Sequence, residues 1–227
     1  AIERELSTPY KRKIITIRVE DLENLSIKVS KYLSTIFGLK LPLIDLEEVT
    51  SIYDRGYKDL IHELLGEVKY LTIVKRDVSE KESEDHVALK ILAIRYLEKL
   101  GVPLDNIRVT EQIGENIVAD VYATTRDGKG IAVEVETLYG TGPVPLLKIV
   151  DTCRKYIERE ITKQVNELWI IIPNWTTAIH LNKLLYIKNI IGKELKRKEI
   201  NIRIFTPNIM DKTLTEISYL IQPQLQH

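Results

Sequence analysis

At 227 residues and 44% hydrophobic content the chain is long enough to bury a true core, as one large domain or as a domain of about 150 residues with a smaller module. Lys and Arg together number 33, as do Asp and Glu, so no net field draws the whole protein to nucleic acid or an anionic membrane, and any such binding must rest on a local patch. The longest strongly apolar run, Leu168 to Ile172, is far short of the roughly 20 residues that span a bilayer, and no signal-type amino terminus is visible, so the expectation is a soluble, cytoplasmic protein.

The single Cys153 excludes an intramolecular disulfide and a cysteine-based metal cluster. Abundant Ile, Lys and Glu with one Met and one Cys are compatible with a thermophilic source.

In chain order, Lys13 to Val19 reads as a strand, Leu22 to Phe37 as an amphipathic helix, Leu46 to Leu65 as a second helix and Val68 to Lys75 as another strand. The polar run from Asp77 to Asp85 is the best boundary, dividing an amino-terminal α/β module (1–77) from the rest (78–227). A helix from about Ser83 to Leu100 ends at Gly101 with Pro103 beyond. Strands follow near Ile107 to Gln112, Ile117 to Thr124 and Gly130 to Thr137. A helix over Leu146 to Ile161, a strand over Glu167 to Ile172, a helix over Thr176 to Arg197, a strand over Asn201 to Phe205 and a last helix near Asn208 to Ile221 complete the order. Helices interleaved with strands predict an α/β fold, a sheet covered on both faces.

The most informative segment is the hairpin at 117–137, where Asp120, Glu134 and Glu136 lie inside runs of Val, Ile and Ala. A buried unpaired carboxylate costs several kcal/mol or more, so such acids lie on a solvated face, pair with cations or bind a metal. Glu134 and Glu136, two apart on a strand, point to one face about 6 to 7 Å apart. A divalent cation there has one Glu, a carboxylate of the neighbouring strand and the carbonyl of Val135 as oxygen ligands. Asp120 joins them only if the turn has the right parity. A two-residue Asp127-Gly128 loop sets Asp120 opposite Val135, whereas a three-residue loop over Arg126, Asp127 and Gly128, or a bulge, sets it opposite Glu134. Acids on a solvated face balanced by nearby Lys and Arg would give the same residues without a metal.

With Asp120 in the second strand and Glu134-Val135-Glu136 in the third, after a helix and before a helix and strand, the chain resembles the PD-(D/E)XK nuclease superfamily over about residues 80–175. Ala119 to Ala123 and Ile131 to Val135 are similar in style to archaeal Holliday junction resolvases. The resemblance implies a restriction endonuclease-like fold, a nuclease acting on nucleic acid, with DNA the expected substrate, Mg2+ or Mn2+ at Asp120 and Glu134, and a homodimer. Two positions depart from the motif: Ala119 stands at its proline and Glu136 at its lysine, which leaves the lysine's charge-stabilising role to Glu136 as base or second ligand, or to Lys148, Arg154 or Lys155 on the next helix. Tyr156 follows them, as a tyrosine does in some relatives. An acid from the first core helix is also implied, and Glu84 in its first turn is the candidate, although acids favour any helix start. The neighbouring His86 reads as a surface or partly buried histidine rather than as a ligand.

The loop from Thr137 to Pro145 is no P-loop; it reads either as a plain turn or as a loop whose amides and Tyr139 approach a phosphate. Lys196 and Arg197, with Lys193, Lys198 and Arg203, form a basic cluster suited to a nucleic-acid backbone, or to a solvated helix end. The competing function is a nuclease-like fold without chemistry that binds nucleic acid or a protein.

Overall fold

The computed structural model describes residues 22–39, 46–75, 82–137 and 145–220. Its helices are α1 (Leu22–Phe37), α2 (Leu46–Gly66), α3 (Val68–Lys75), α4 (Glu84–Lys99), α5 (Pro145–Glu158) and α6 (Asn174–Lys196). Its strands are β1 (Ile107–Gly114), β2 (Ile117–Thr124), β3 (Gly130–Val135), β4 (Glu167–Ile171), β5 (Asn201–Asn208) and β6 (Thr213–Glu216). The strands form one mixed sheet in sequence order: β1–β2–β3 antiparallel, β3–β4–β5 parallel, β6 antiparallel at the edge. The fold is therefore α/β, and the helix, three-stranded meander, crossover helix and parallel strand of α4-β1-β2-β3-α5-β4 are consistent with a restriction endonuclease-like arrangement. No helix among the described residues is long and apolar enough to cross a membrane.

Both faces of the sheet are covered. Helix α4, backed by α2 and α3, covers one face, where Tyr96 packs against Trp169 and Phe205. Helices α5 and α6 pack together on the other, which Tyr156 of α5 and Gly192 of α6 approach closely. Because β4 is buried on both sides, it reads as the continuous run Leu168 to Ile171 rather than as an alternating strand.

Three sequence expectations meet the structure differently. Val68–Lys75 is helix, not strand: Tyr70, Leu71 and Val74 lie on one helical face toward α4, where Tyr70 and Lys69 both bond Glu98, and this packing overrides the β-branched composition. The last helix is replaced by β6 and a 3-10 turn over Ile217–Leu220, because β5 runs on to Asn208, whose side chain caps a turn at Asp211 N before Thr213 to Glu216 fold back antiparallel. Lys13 to Val19 lies outside the described residues. Residues 22–75, where described, are helical apart from their connections, and their buried side chains, among them Phe37, Tyr53 and Leu64, are continuous with the core beneath the sheet.

The 117–137 hairpin folds as the three-residue alternative requires. Thr125 pairs with Lys129, whose carbonyl accepts from Thr125 N at 2.9 Å, and Gly128 sits at φ 83°, the left-handed conformation that a Cβ would strain. Thr125 Oγ1 also bonds Asp127 at 2.6 Å, which ties the loop down. The register Val121 with Val133 then sets Asp120 level with Glu134.

Candidate metal centre at the strand fork

Pairing between β2 and β3 stops at Val121 and Val133, although β2 continues back to Ile117 on β1 and β3 continues forward beside β4. The two strands fork. In the antiparallel alternation the next donor, Val135 N, would meet the carbonyl of Ala119. Instead it donates to Asp120 Oδ2 at 2.7 Å, while Glu136 N stays with β4 through Ile171 O at 2.9 Å. The carboxylate of Asp120 thus fills the gap that opens between the strands. On its other side, Thr110 of β1, flanked by the pairs Val109–Val121 and Glu111–Ala119, has φ 52°, a sterically expensive conformation for a β-branched residue.

Helix α4 and the residue before its cap bring three side chains to Asp120. Ser83 caps the helix by accepting from His86 N at 3.3 Å, which fixes the first turn. Glu82, His86 and Lys90 then follow at four-residue intervals along one face. His86 Nε2 lies 3.0 Å and Lys90 Nζ 3.2 Å from Asp120 Oδ1, and Lys90 also binds both oxygens of Glu82 at 2.8 and 2.9 Å. Lys90 is 1% exposed. Burial alone would raise the pKa of Asp120, but the hydrogen bond and charge of His86, the charge of Lys90 and the Val135 amide hold it below the ordinary carboxylate range.

Helix α5 governs the other two acids. Tyr156 donates to Glu134 Oε1 at 2.5 Å and Thr152 to Glu136 Oε1 at 2.5 Å. Glu134 and Glu136 are 8% and 4% exposed, so neither sits on a solvated face. Burial first, and Asp120's charge second, push Glu134 up to about 8, so at neutral pH and without a cation it is mostly protonated. The same burial and the neighbouring Glu134 raise Tyr156 and Cys153. Lys148 Nζ approaches Glu136 Oε2 to 3.0 Å as an ion pair, but without hydrogen-bond geometry, and Oε2 has no hydrogen-bond partner despite its burial.

Among the described residues the group of three His, Cys, Asp or Glu side chains with ligand atoms all within 4.8 Å of one another is Glu82, His86 and Asp120. This cluster could hold a metal ion. Glu134 is not part of it. The carboxylates and the Val135 carbonyl at the fork are the hard oxygen donors that Mg2+ and Mn2+ take, and His86 suits Mn2+ as well. A buried carboxylate oxygen without a hydrogen bond and an acid raised to about 8 beside Asp120 are what a cation would relieve, so the residues fit.

The other predicted site residues separate. Glu84 is exposed and turned toward a cavity shared with Tyr57 and Trp175, because it lies two residues off the face of Glu82 and His86; the acid at Asp120 is Glu82, just before α4. Lys148 is half exposed beside Glu136, Lys155 is exposed near Glu134, and Arg154 turns to Asp151 at 3.5 Å. Lys196 and Arg197 are exposed at the opposite end of the parallel strands: they precede Asn201, level with Ile131, whereas the acids lie three to five residues further along, roughly 10 to 16 Å. Tyr139 lies outside the described residues. His86 is partly buried, as one of the two sequence alternatives had it, and bonds Asp120, so it belongs to the site; Lys90 was missed although a lysine inside Ala88-Leu89-Lys90-Ile91-Leu92 is as anomalous as the acids of the hairpin.

Fold and site together define an α/β protein with a forked sheet, a cluster of Glu82, His86 and Asp120, two further buried acids on β3 and beyond it, and a buried lysine. No protein-family model, curated protein or solved structure matches the chain.

Proposed function

We propose that this protein is a metal-dependent nuclease of the PD-(D/E)XK kind that hydrolyses phosphodiester bonds in nucleic acid, with DNA the expected substrate and Mg2+ or Mn2+ the cofactor. The observation that supports this best is the fork, where Asp120 replaces a ladder acceptor for Val135 and lies level with buried Glu134. Asp120, Glu82 and His86 would hold the cation, with Glu134 and the Val135 carbonyl at the fork as further oxygen ligands, and Glu82, just before α4, taking the place expected of Glu84. A bound divalent cation would polarise the phosphate and lower the pKa of an attacking water.

The chain's own residues divide the remaining work. Lys90 supplies the fixed positive charge that the motif's lysine would otherwise bring, since it is the ammonium nearest Asp120. Tyr156 orients Glu134 through its hydroxyl proton, and Thr152 orients Glu136. Lys148 and Lys155 offer exposed charges to a phosphate backbone. A twofold homodimer would present two such sites to two strands.

One observation favours a second reading. The Lys90 ammonium already neutralises Asp120 and Glu82, as it would in a nuclease-like fold used only to bind nucleic acid or a protein. Calorimetric titration with Mg2+ and Mn2+, followed by cleavage assays on linear, branched and single-stranded substrates with Mn2+ or chelator, separates the two. Saturable metal binding with cleavage lost in chelator supports the nuclease; neither metal binding nor cleavage leaves the binding fold.

A further inference from the structure

A cavity of about 460 Å3 lies between α2, the first turn of α4 and the start of α6, within the size range of small-molecule sites. Its floor is aromatic and apolar. Tyr57 and Ile61 are buried, and the half-buried Trp175 ring is held edge-on against Phe37 at 4.9 Å. Its rim presents carboxylates: Asp54, paired with Lys58 at 2.6 Å, Glu84, and Asp85, which accepts from the Tyr57 hydroxyl at 3.0 Å.

The cavity and the fork share one helix. Glu82 and His86 face Asp120, while Glu84 and Asp85, between them in sequence, turn to the cavity. Trp175 follows β4 directly, at the same end of the sheet as Glu136, whose amide bonds Ile171. The rim residues Glu84 and Asp85 thus lie within one helical turn in sequence of Glu82 and His86, on a different face of the same segment.

We propose that this cavity receives one unpaired nucleobase of the strand whose phosphate lies at the fork, with guanine the best-matched base. The inference rests on the nuclease reading for the position of that phosphate. Sequence-tolerant stacking on aromatic rings and hydrogen bonding along the Watson–Crick edge are how proteins hold single-stranded bases. Guanine presents two adjacent donors on that edge, N1–H and N2–H, to an acceptor-only carboxylate such as that of Glu84, whereas uracil and thymine present one donor between two acceptors. The substrate class is therefore a strand with an unpaired nucleotide beside the cut, where no duplex has to be opened to fill the cavity.

Calorimetric titration of the full chain with GMP, IMP and UMP in chelator tests this. Saturable GMP binding is expected, about tenfold weaker for IMP, which lacks the 2-amino donors, and absent for UMP. Trp175→Ala should weaken GMP at least about fivefold by removing the stacking face, and the exposed Glu84→Gln, which leaves the fold untouched, should do the same. No saturable GMP binding, or equal binding of all three nucleotides unaffected by Glu84→Gln, overturns the proposal. Cleavage by the parent alongside either result leaves the nuclease reading standing, whereas the expected binding pattern without cleavage of any substrate upholds the cavity and overturns the nuclease reading alone.

Discussion

The carboxylate of Asp120 accepts the backbone N–H of Val135 at 2.7 Å across the gap where β2 and β3 part. One side chain thereby closes the ladder of a splayed hairpin and turns its second oxygen toward His86 and Lys90. Asp120→Asn and Glu134→Gln keep volume and remove the anionic charge a cation needs. Each should lower metal-dependent cleavage by at least about a hundredfold, since even outer partners of metal ligands cost 10 to 100-fold. Circular dichroism should show the fold unchanged. Full cleavage by the purified double variant would overturn the assignment.

Glu134 sets a pH dependence. Its pKa rises from an ordinary 4.5 to about 8 on folding, so its contribution to stability is complete below about pH 4.5 and is lost as pH rises through about 8. Asp120 acts with the opposite sign, because its pKa is lowered on folding and its contribution is lost on acidification. In chelator, Glu134→Gln should be more stable than the parent at pH 9 by on the order of a few kcal/mol, with the difference shrinking toward pH 4. Urea unfolding across that range checks this, and a difference independent of pH would contradict it.

Lys90 is enclosed between Glu82 and Asp120. Lys90→Met should destabilise by about 3 to 5 kcal/mol, because it strands two partly buried acids. Adding Glu82→Gln should recover part of that loss, a coupling that a double-mutant cycle in urea measures. Additive losses would mean the two residues do not act as a pair.

Glu136→Lys tests the departure from the motif. The new ammonium would lose the Thr152 bond and face Lys148, so the single variant should fall by about 3 kcal/mol, as for other broken buried pairs. Combining it with Lys148→Glu restores opposite charges and should raise the melting temperature above that of Glu136→Lys alone. If Glu136 merely occupies the lysine position, cleavage by the swapped protein should equal or exceed that of the parent; loss of activity with altered metal preference would mark Glu136 as a ligand.

Charge reversal at Lys148 and Lys155 should flatten the salt dependence of nucleic-acid binding by about one counterion each, because both line the α5 side of the acids. The same change at Lys196 and Arg197, at the far end of the strands, should leave affinity and slope unchanged. A reversed outcome in filter binding would move the binding surface to the end of α6.

The α/β class, the strands of the hairpin and its unusual acids were legible in the sequence, because apolar periodicity and misplaced carboxylates are local signals. The parity of the turn was legible only as a choice: Arg126-Asp127-Gly128 admits two loops, and the Thr125–Lys129 pairing in the folded sheet decides between them. Val68 to Lys75 and Thr213 to Glu216 were misread because packing against α4 and pairing with β5 outweigh local propensity. The fork depends on three chain segments at once, so no single stretch encodes it. Asp120 meets His86 and Lys90 only because α4 packs on β2, and Glu84 leaves the site because it lies about 200° around the helix from His86, while Glu82, before the Ser83 cap, reaches Asp120 instead.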